Sequence, residues 1–414
     1  MEGHSYIDWG IVAVFVTVYL GMILGGLPSL KLDRSGVALL GAIGMIALGA
    51  LNTDQAARAI DWPTVLLLFS FMAVSAQMRL GGFYAYVIWR VAALPLGRNA
   101  LLAVLIAVAG SLSAVFSNDI VCLAMTPVVV QLCRQRGLNP VPFLLGLACA
   151  ANIGSAATLI GNPQNMLIGS VMQLSFAAYV QHALAPVTLS LWVLWAWLAW
   201  GPGASNGGQS LATAGGLNPL PLPDIPALDA WQTSKGLIVA SALLLVFLFT
   251  DWPREVAALL GAGVLLLSRR LHSADVMGFV DWPLLVLFMG LFVVNHAFDG
   301  TGLASQVVAW LAMQGVHLSD TRALLLVGTG LSNLVSNVPA VMLLLPHLKG
   351  FDAGATLAMV STFAGNLLLV GSIANLIVVD LAQKEGVVID WRLHARVGFP
   401  VTLLTLALLW LWVR

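Results

Sequence analysis

The sequence predicts an all-α, polytopic membrane protein made of two inverted-topology repeats, each holding a re-entrant hairpin and a broken transmembrane helix. Three observations predict it. Hydrophobic residues make up 60% of the chain and charged residues 9%, with a mean hydropathy of +0.95, far from the roughly 45–50% apolar and 25% charged of soluble domains. Runs rich in Asn, Ser, Gly and Pro interrupt apolar stretches at four places, and a break at bilayer depth is tolerated only where protein or water satisfies the freed backbone groups. The interruptions come in two matched sets, one per half of the chain.

Acidic and basic residues balance at 18 each, so charge does not favour a nucleic-acid partner, and the composition makes the lipid bilayer the obligatory one. Cys122, Cys133 and Cys149 are odd in number and lack CxxC spacing, which excludes a disulfide framework or zinc site and leaves small core residues. No motif asks for a cofactor.

In chain order, the start has no basic region and no small-residue cleavage site follows, so 11–24 reads as a retained span and not a signal peptide. Spans follow at 36–51 and 63–78, then a short amphipathic piece at 83–94 introduced by Gly81 and Gly82. Two apolar limbs with basic outer ends and the polar tip Ser117-Asn118-Asp119 make a re-entrant hairpin over 99–136. A broken helix covers 141–171, since Gly161 and Pro163 are the residue types least suited to a helix interior. The span 185–200 completes the first repeat, residues 1–200.

Residues 201–234 are rich in Gly, Pro, Asn and Ser and read as a flexible linker. The second repeat, 235–414, then restates the first, with spans at 236–249, 255–267 and 283–297 and a short piece at 303–313. The hairpin 323–348, the broken helix 355–381 and a span at 397–413 follow. Asp61-Trp62-Pro63 matches Asp281-Trp282-Pro283 at an offset of 220, Ser117-Asn118 matches Ser336-Asn337 at 219, and Gly161 to Asn165 matches Gly371 to Asn375 at 210.

Threaded from an outside N-terminus, with each hairpin returning to its own side, the chain places 13 of its 18 Lys and Arg residues in the cytoplasm. The linker is then cytoplasmic and the repeats run in opposite directions. Paired hairpins and paired broken helices in inverted repeats are the architecture of secondary transporters, with the site at the repeat interface near the midplane.

The chemistry at the interruptions follows from their residues. Half-helix N-termini attract an anion or the oxygens of a neutral oxyacid, Asn and Ser add donors, and free carbonyls hold a cation. Candidate substrate ligands are Ser117, Asn118, Thr158, Gly161, Asn162, Asn165, Ser336, Asn337, Gly371, Ser372 and Asn375. A sodium ion would sit near Asn118, Asn165, Asn337 and Asn375. No Lys or Arg lies within these motifs. Asp119 corresponds to Val338 in the second hairpin, and an ionisable residue at membrane depth is by default a functional one, so Asp119 is the candidate proton or cation site; the bland alternative is a helix cap.

The runs Phe116-Ser117-Asn118-Asp119, Thr126-Pro127, Gly161-Asn162-Pro163-Gln164-Asn165, Ser336-Asn337-Val338-Pro339 and Gly371-Ser372-Ile373-Ala374-Asn375-Leu376-Ile377 resemble the ion transporter superfamily. That group holds arsenite permeases, citrate and divalent-anion/sodium symporters and a class of sodium/proton antiporters. The resemblance covers nearly the whole chain and is nearest to an uncharacterised bacterial branch beside the arsenite permeases. It implies an elevator mechanism, a homodimer, a bacterial cytoplasmic membrane location and, for an arsenite exporter, an accessory ATPase. With trivalent arsenic as substrate, Cys122 would gain interest as a soft ligand.

Other charged residues read more plainly. His296 and Asp299 precede Gly300-Thr301-Gly302 and suit a turn. Asp380 suits either a cavity or the interface. Asp61, Asp251, Asp281 and Asp390 each precede Trp and read as helix starts with interfacial anchors. The absence of HExxH, GxSxG and Walker motifs argues against an enzyme or an ATP-driven pump. A channel also lines its pore with broken helices, but inverted repeats favour the transporter. The expected activity is proton- or sodium-coupled transport of a small anion or oxyacid: arsenite or antimonite export first, carboxylate or phosphate-like anions second, sodium/proton antiport as the rival.

Overall fold

The computed structural model describes residues 6–27, 30–201 and 227–413. Among the described residues ten α-helices precede position 202 and ten follow position 226. The first ten are α1 (Tyr6–Leu24), α2 (Arg34–Ala47), α3 (Thr53–Ala59), α4 (Trp62–Leu80), α5 (Phe83–Ala92), α6 (Arg98–Val115), α7 (Asn118–Gln135), α8 (Val141–Ser155), α9 (Pro163–Val171) and α10 (Phe176–Trp200). The second ten are α11 (Ala230–Phe249), α12 (Arg254–Leu266), α13 (Ser273–Met277), α14 (Trp282–Asp299), α15 (Leu303–Met313), α16 (Thr321–Val335), α17 (Asn337–Leu344), α18 (Phe351–Ala364), α19 (Ile373–Lys384) and α20 (Trp391–Trp412). Each helix of the first set has its counterpart in the second.

Local chemistry sets the boundaries. Asp33, Asp229, Asp320 and Asp390 cap α2, α11, α16 and α20 through carboxylate bonds to backbone N–H groups. Gly82 and Gly302 turn the chain into α5 and α15 with φ of 75° and 73°, a left-handed conformation that a side chain would strain. Pro346 cannot donate to an α-helical ladder, and α17 gives way to a 3-10 turn at Leu345–His347. Pro127, its counterpart, is carried inside α7, which continues to Gln135.

The expected linker 201–234 falls mostly on 202–226, outside the described residues. Its far end is corrected, because α11 begins at Ala230, six residues before the predicted span. Helices α10 and α20 likewise start earlier than the spans at 185 and 397, since Gln181 and His182 in α10 and Arg392, His394 and Arg396 in α20 lower the hydropathy while Ser175 and Asp390 still cap the helices. Helices α3 and α13 were not anticipated; at 7 and 5 residues they are too short to show a period.

The helices pack in two groups. In one, α2 lies on α14 and α4 on α12, each repeat pairing crosswise with the other. In the second, α6 lies on α8, α16 on α18, and α7 on α19, with α10 and α20 packed over them. Helix α8 is buried from Pro142 to Ser155, as expected of a helix apolar on all sides. Seven helices among the described residues are long and apolar enough to cross a membrane.

Candidate functional site

The first broken helix stops at Ser155 and resumes at Pro163. A Cβ on Gly161 would lie 2.3 Å from the Ser155 carbonyl oxygen and 2.6 Å from that of Ser113, so only glycine lets three backbone segments converge there. Asn162 then restarts the helix, its Oδ1 accepting from the Asn165 N–H at 2.9 Å. Pro163 sits in the first turn, where its missing N–H costs nothing.

Unwinding frees carbonyls, and each repeat satisfies them in the same way. Tyr179 O–H donates to Ala156 O at 2.8 Å, and Asn165 Nδ2 to Thr158 O at 3.0 Å. In the second half His394 Nε2 donates to Asn366 O at 3.0 Å, while Asn375 Nδ2 reaches Gly365 O at 2.9 Å and Leu368 O at 3.3 Å. Tyr179 and His394 are matched at an offset of 215. Both hold open a segment that would otherwise rewind.

The two breaks are joined through residues on the opposite half. Asn152, at the end of α8, accepts from Ser372 Oγ at 2.9 Å and Asn118 Nδ2 at 3.1 Å, and donates to Asn366 Oδ1 at 2.8 Å and Asn375 Oδ1 at 3.2 Å. Thr362, its counterpart on α18, accepts from Asn162 Nδ2 at 3.2 Å and Gln164 Nε2 at 3.3 Å. Thus each break is held by the first limb of the other repeat's broken helix.

The sequence-predicted residues fall into three positions. Asn118, Ser372 and Asn375 meet at Asn152. Thr158, Asn162 and Asn165 surround the first break, buried and hydrogen-bonded within the protein, and Gly161 O accepts from the Asn118 N–H at 3.2 Å. The hairpin tips stand beside them: Ser117 N–H reaches Ser75 Oγ on α4 at 3.4 Å, and the Asn337 amide lies against Gly365. Gly371 abuts Gly365 and Asn333 Oδ1.

Ser336 is exceptional among the described residues. Its φ of 77° and ψ of 161° lie in a region occupied almost solely by glycine, whereas Ser117 has an ordinary φ of −56°. The Oδ1 atoms of Asn118, Asn333 and Asn337 are buried without a hydrogen-bond partner, leaving acceptors for a cation or a hydroxyl. Asp119 sits in the first turn of α7 but does not cap it, that place being Ser117's. Asp119 as a residue is only partly buried.

The sequence reading did not include Asn152, Thr362, Tyr179, Asn366 and His394 among the ligands. The offsets 210 and 215 would have paired four of them, but a polar residue inside an apolar helix carries no label for which break it serves. Cys122, Cys133 and Cys149 are buried and free, as expected. No cluster of three or more His, Cys, Asp or Glu residues able to hold a metal occurs among the described residues.

A family model described as citrate transporter matches residues 19–364. The chain belongs to the citrate transporter family. It is a multi-pass membrane transporter and not an enzyme. A transporter of Mycobacterium tuberculosis named Rv2685 is 30% identical over 97% of this chain and 98% of its own length. The silicon efflux transporter LSI3 of Oryza sativa subsp. japonica is 28% identical over 95% of each. The crystal structure of the YdaH transporter of Alcanivorax borkumensis shares the fold, with a TM-score of 0.58 over 98% of this chain and 96% of that one at 14% identity. This family member therefore shares its fold with a solved transporter and its membership with relatives over nearly the whole length.

Proposed function

We propose that the protein exports a small oxyacid, arsenite or antimonite first, in exchange for protons, by an elevator motion. The mobile unit is α6–α10 with α16–α20, and the scaffold is α1–α4 with α11–α14. The repeats are inverted, and the active form is a homodimer in the bacterial inner membrane, with an accessory ATPase as an optional partner. The observation that carries this reading is the composition of the site: amides and hydroxyls shared between the two breaks, one carboxylate at Asp119, and no Lys or Arg. Such a site suits a neutral, hydroxyl-rich solute, because an unpaired anion buried there would lack a compensating charge. Similarity to a silicon efflux transporter supports the same choice.

A carboxylate substrate is the second reading, favoured by the citrate transporter description of the family. It would require a co-bound cation, and the unpartnered oxygens of Asn118 and Asn337 suit sodium there. Sodium/proton antiport is the remaining rival.

The test is internal pH in proteoliposomes carrying a proton gradient, challenged in turn with arsenite, antimonite, citrate, succinate, sodium and lithium. A response to an oxyacid that is lost in Asp119→Asn supports the proposal. A response to citrate or succinate alone selects the second reading, and a response to sodium or lithium alone makes the protein a cation/proton antiporter.

A further inference from the structure

The two halves make different contacts at the ends of their broken helices. Arg254, which opens α12, donates Nη2 to Gly169 O near the end of α9 at 2.7 Å. The next residue, Ser170, donates to Asp61 Oδ2 at the start of α4 at 2.9 Å. One end of the first broken helix is thereby tied to two helices of the other packing group.

The counterparts of these four residues are Arg34 and Asp281 at an offset of 220, and Val379 and Asp380 at 210. None of the corresponding bonds is formed. Arg34 Nε is buried without a hydrogen-bond partner, Asp281 accepts from Leu284 of its own helix at 3.0 Å, and Asp380 is paired with Lys384 one turn on at 2.7 Å. A cavity of about 440 Å³ lies beside Arg34 and Asp281, lined also by Leu24 and, on α19, by Ile373 and Leu376, two turns and one turn before Asp380. The short helices differ in the same sense. Helix α5 packs against α7, and its Phe83 and Tyr84 meet Phe116 at the end of α6, whereas α15 buries none of its residues.

We propose that Arg34 and Asp380 form a second latch, engaged when the Arg254–Gly169 and Asp61–Ser170 latch is released, so that the two hold opposite end states of the transport cycle. The proposal rests on the elevator reading. Related halves that exchange conformations exchange their contacts, and an arginine already half-desolvated beside an open cavity gains by meeting a carboxylate. The competing Asp380–Lys384 pair, with side chains 62% and 68% exposed, is of the kind that contributes little. The described structure has the Arg254 latch closed and the Arg34 latch open. By the distribution of Lys and Arg, the open one faces the cytoplasm.

Two double-cysteine variants test this in the native background, whose three cysteines are buried: Asp61→Cys/Ser170→Cys and Arg34→Cys/Asp380→Cys. Short bifunctional cross-linkers are applied in membranes. Spin labels on Ile238 of α11 and Leu326 of α16, both exposed, report relative motion separately. Cross-linking of the Arg34→Cys/Asp380→Cys pair at least ten-fold above either single variant, rising further when Ser170→Ala loosens the first latch, is the expected result. Two populated label distances without that cross-link overturn the latch and leave the elevator standing. A single label distance, unchanged across the variants, overturns both.

Discussion

Asn152 and Thr362 stand 210 residues apart at the same place in the two halves, and each is hydrogen-bonded to the broken helix of the other half. The relation makes the two breaks one structure. Asn152 satisfies four side chains, Asn118, Ser372, Asn366 and Asn375, and Thr362 two, Asn162 and Gln164. A buried polar group left unpaired costs roughly 1–3 kcal/mol, so the variants should differ. Asn152→Ala is expected to lower the unfolding midpoint in detergent more than Thr362→Val does; equal midpoints would contradict the shared-site geometry.

Asp119→Asn keeps the size of the side chain and removes its charge. Because Asp119 does not cap α7, folding and expression should be unchanged while proton-coupled flux disappears. The measurement is the dye signal in proteoliposomes beside a thermal scan; persistence of coupling in the variant removes Asp119 from the mechanism.

Ser336 holds a conformation that costs a non-glycine residue on the order of 1–3 kcal/mol. Ser336→Gly should therefore raise the unfolding midpoint, while Ser117→Gly, starting from an ordinary φ, should lower it slightly. Opposite signs at matched positions are the signature to look for in a single scan.

Gly161→Ala would bring a methyl group to 2.3 Å from the Ser155 carbonyl oxygen, and backbone cannot step aside as a side chain can. Loss of folded protein is expected. At Gly371 a new Cβ would meet Asn333 Oδ1 and the Gly365 carbonyl oxygen, both at 3.1 Å, a much milder approach than at Gly161, so Gly371→Ala should still fold. Size-exclusion profiles of the two proteins decide this.

Asn165 and Asn375, both in the candidate site, hold unwound backbone, Asn165 through Thr158 O and Asn375 through Gly365 O and Leu368 O. Both alanine variants should lose stability, by about 1–3 kcal/mol for the stranded carbonyls, along with substrate affinity. A shift in apparent affinity with an unchanged midpoint would mean that the carbonyls find water and that the amides serve the substrate alone.

The sequence by itself determined the all-helical membrane class, the doubling of the design and the places where helices break. Those properties follow from local chemistry: apolar composition over whole spans, Gly161 and Pro163 against helix propensity, and motifs recurring at 220, 219 and 210 residues. It also singled out Asp119, because a lone carboxylate in an apolar hairpin is visible without coordinates. Only the tertiary structure decided that Asn152 serves the second break and Thr362 the first, that Tyr179 and His394 guard freed carbonyls, and that Ser336 is strained while Ser117 is not. Each of these depends on which segments meet, across 23 and 28 residues of chain for Tyr179 and His394 and across 220 and 200 for Asn152 and Thr362, or on a backbone angle set by its surroundings. A repeat in sequence implies symmetry, whereas a protein at rest in one arrangement fulfils it unequally, and that inequality, Arg254 bonded to Gly169 while Arg34 Nε has no partner, exists only in three dimensions.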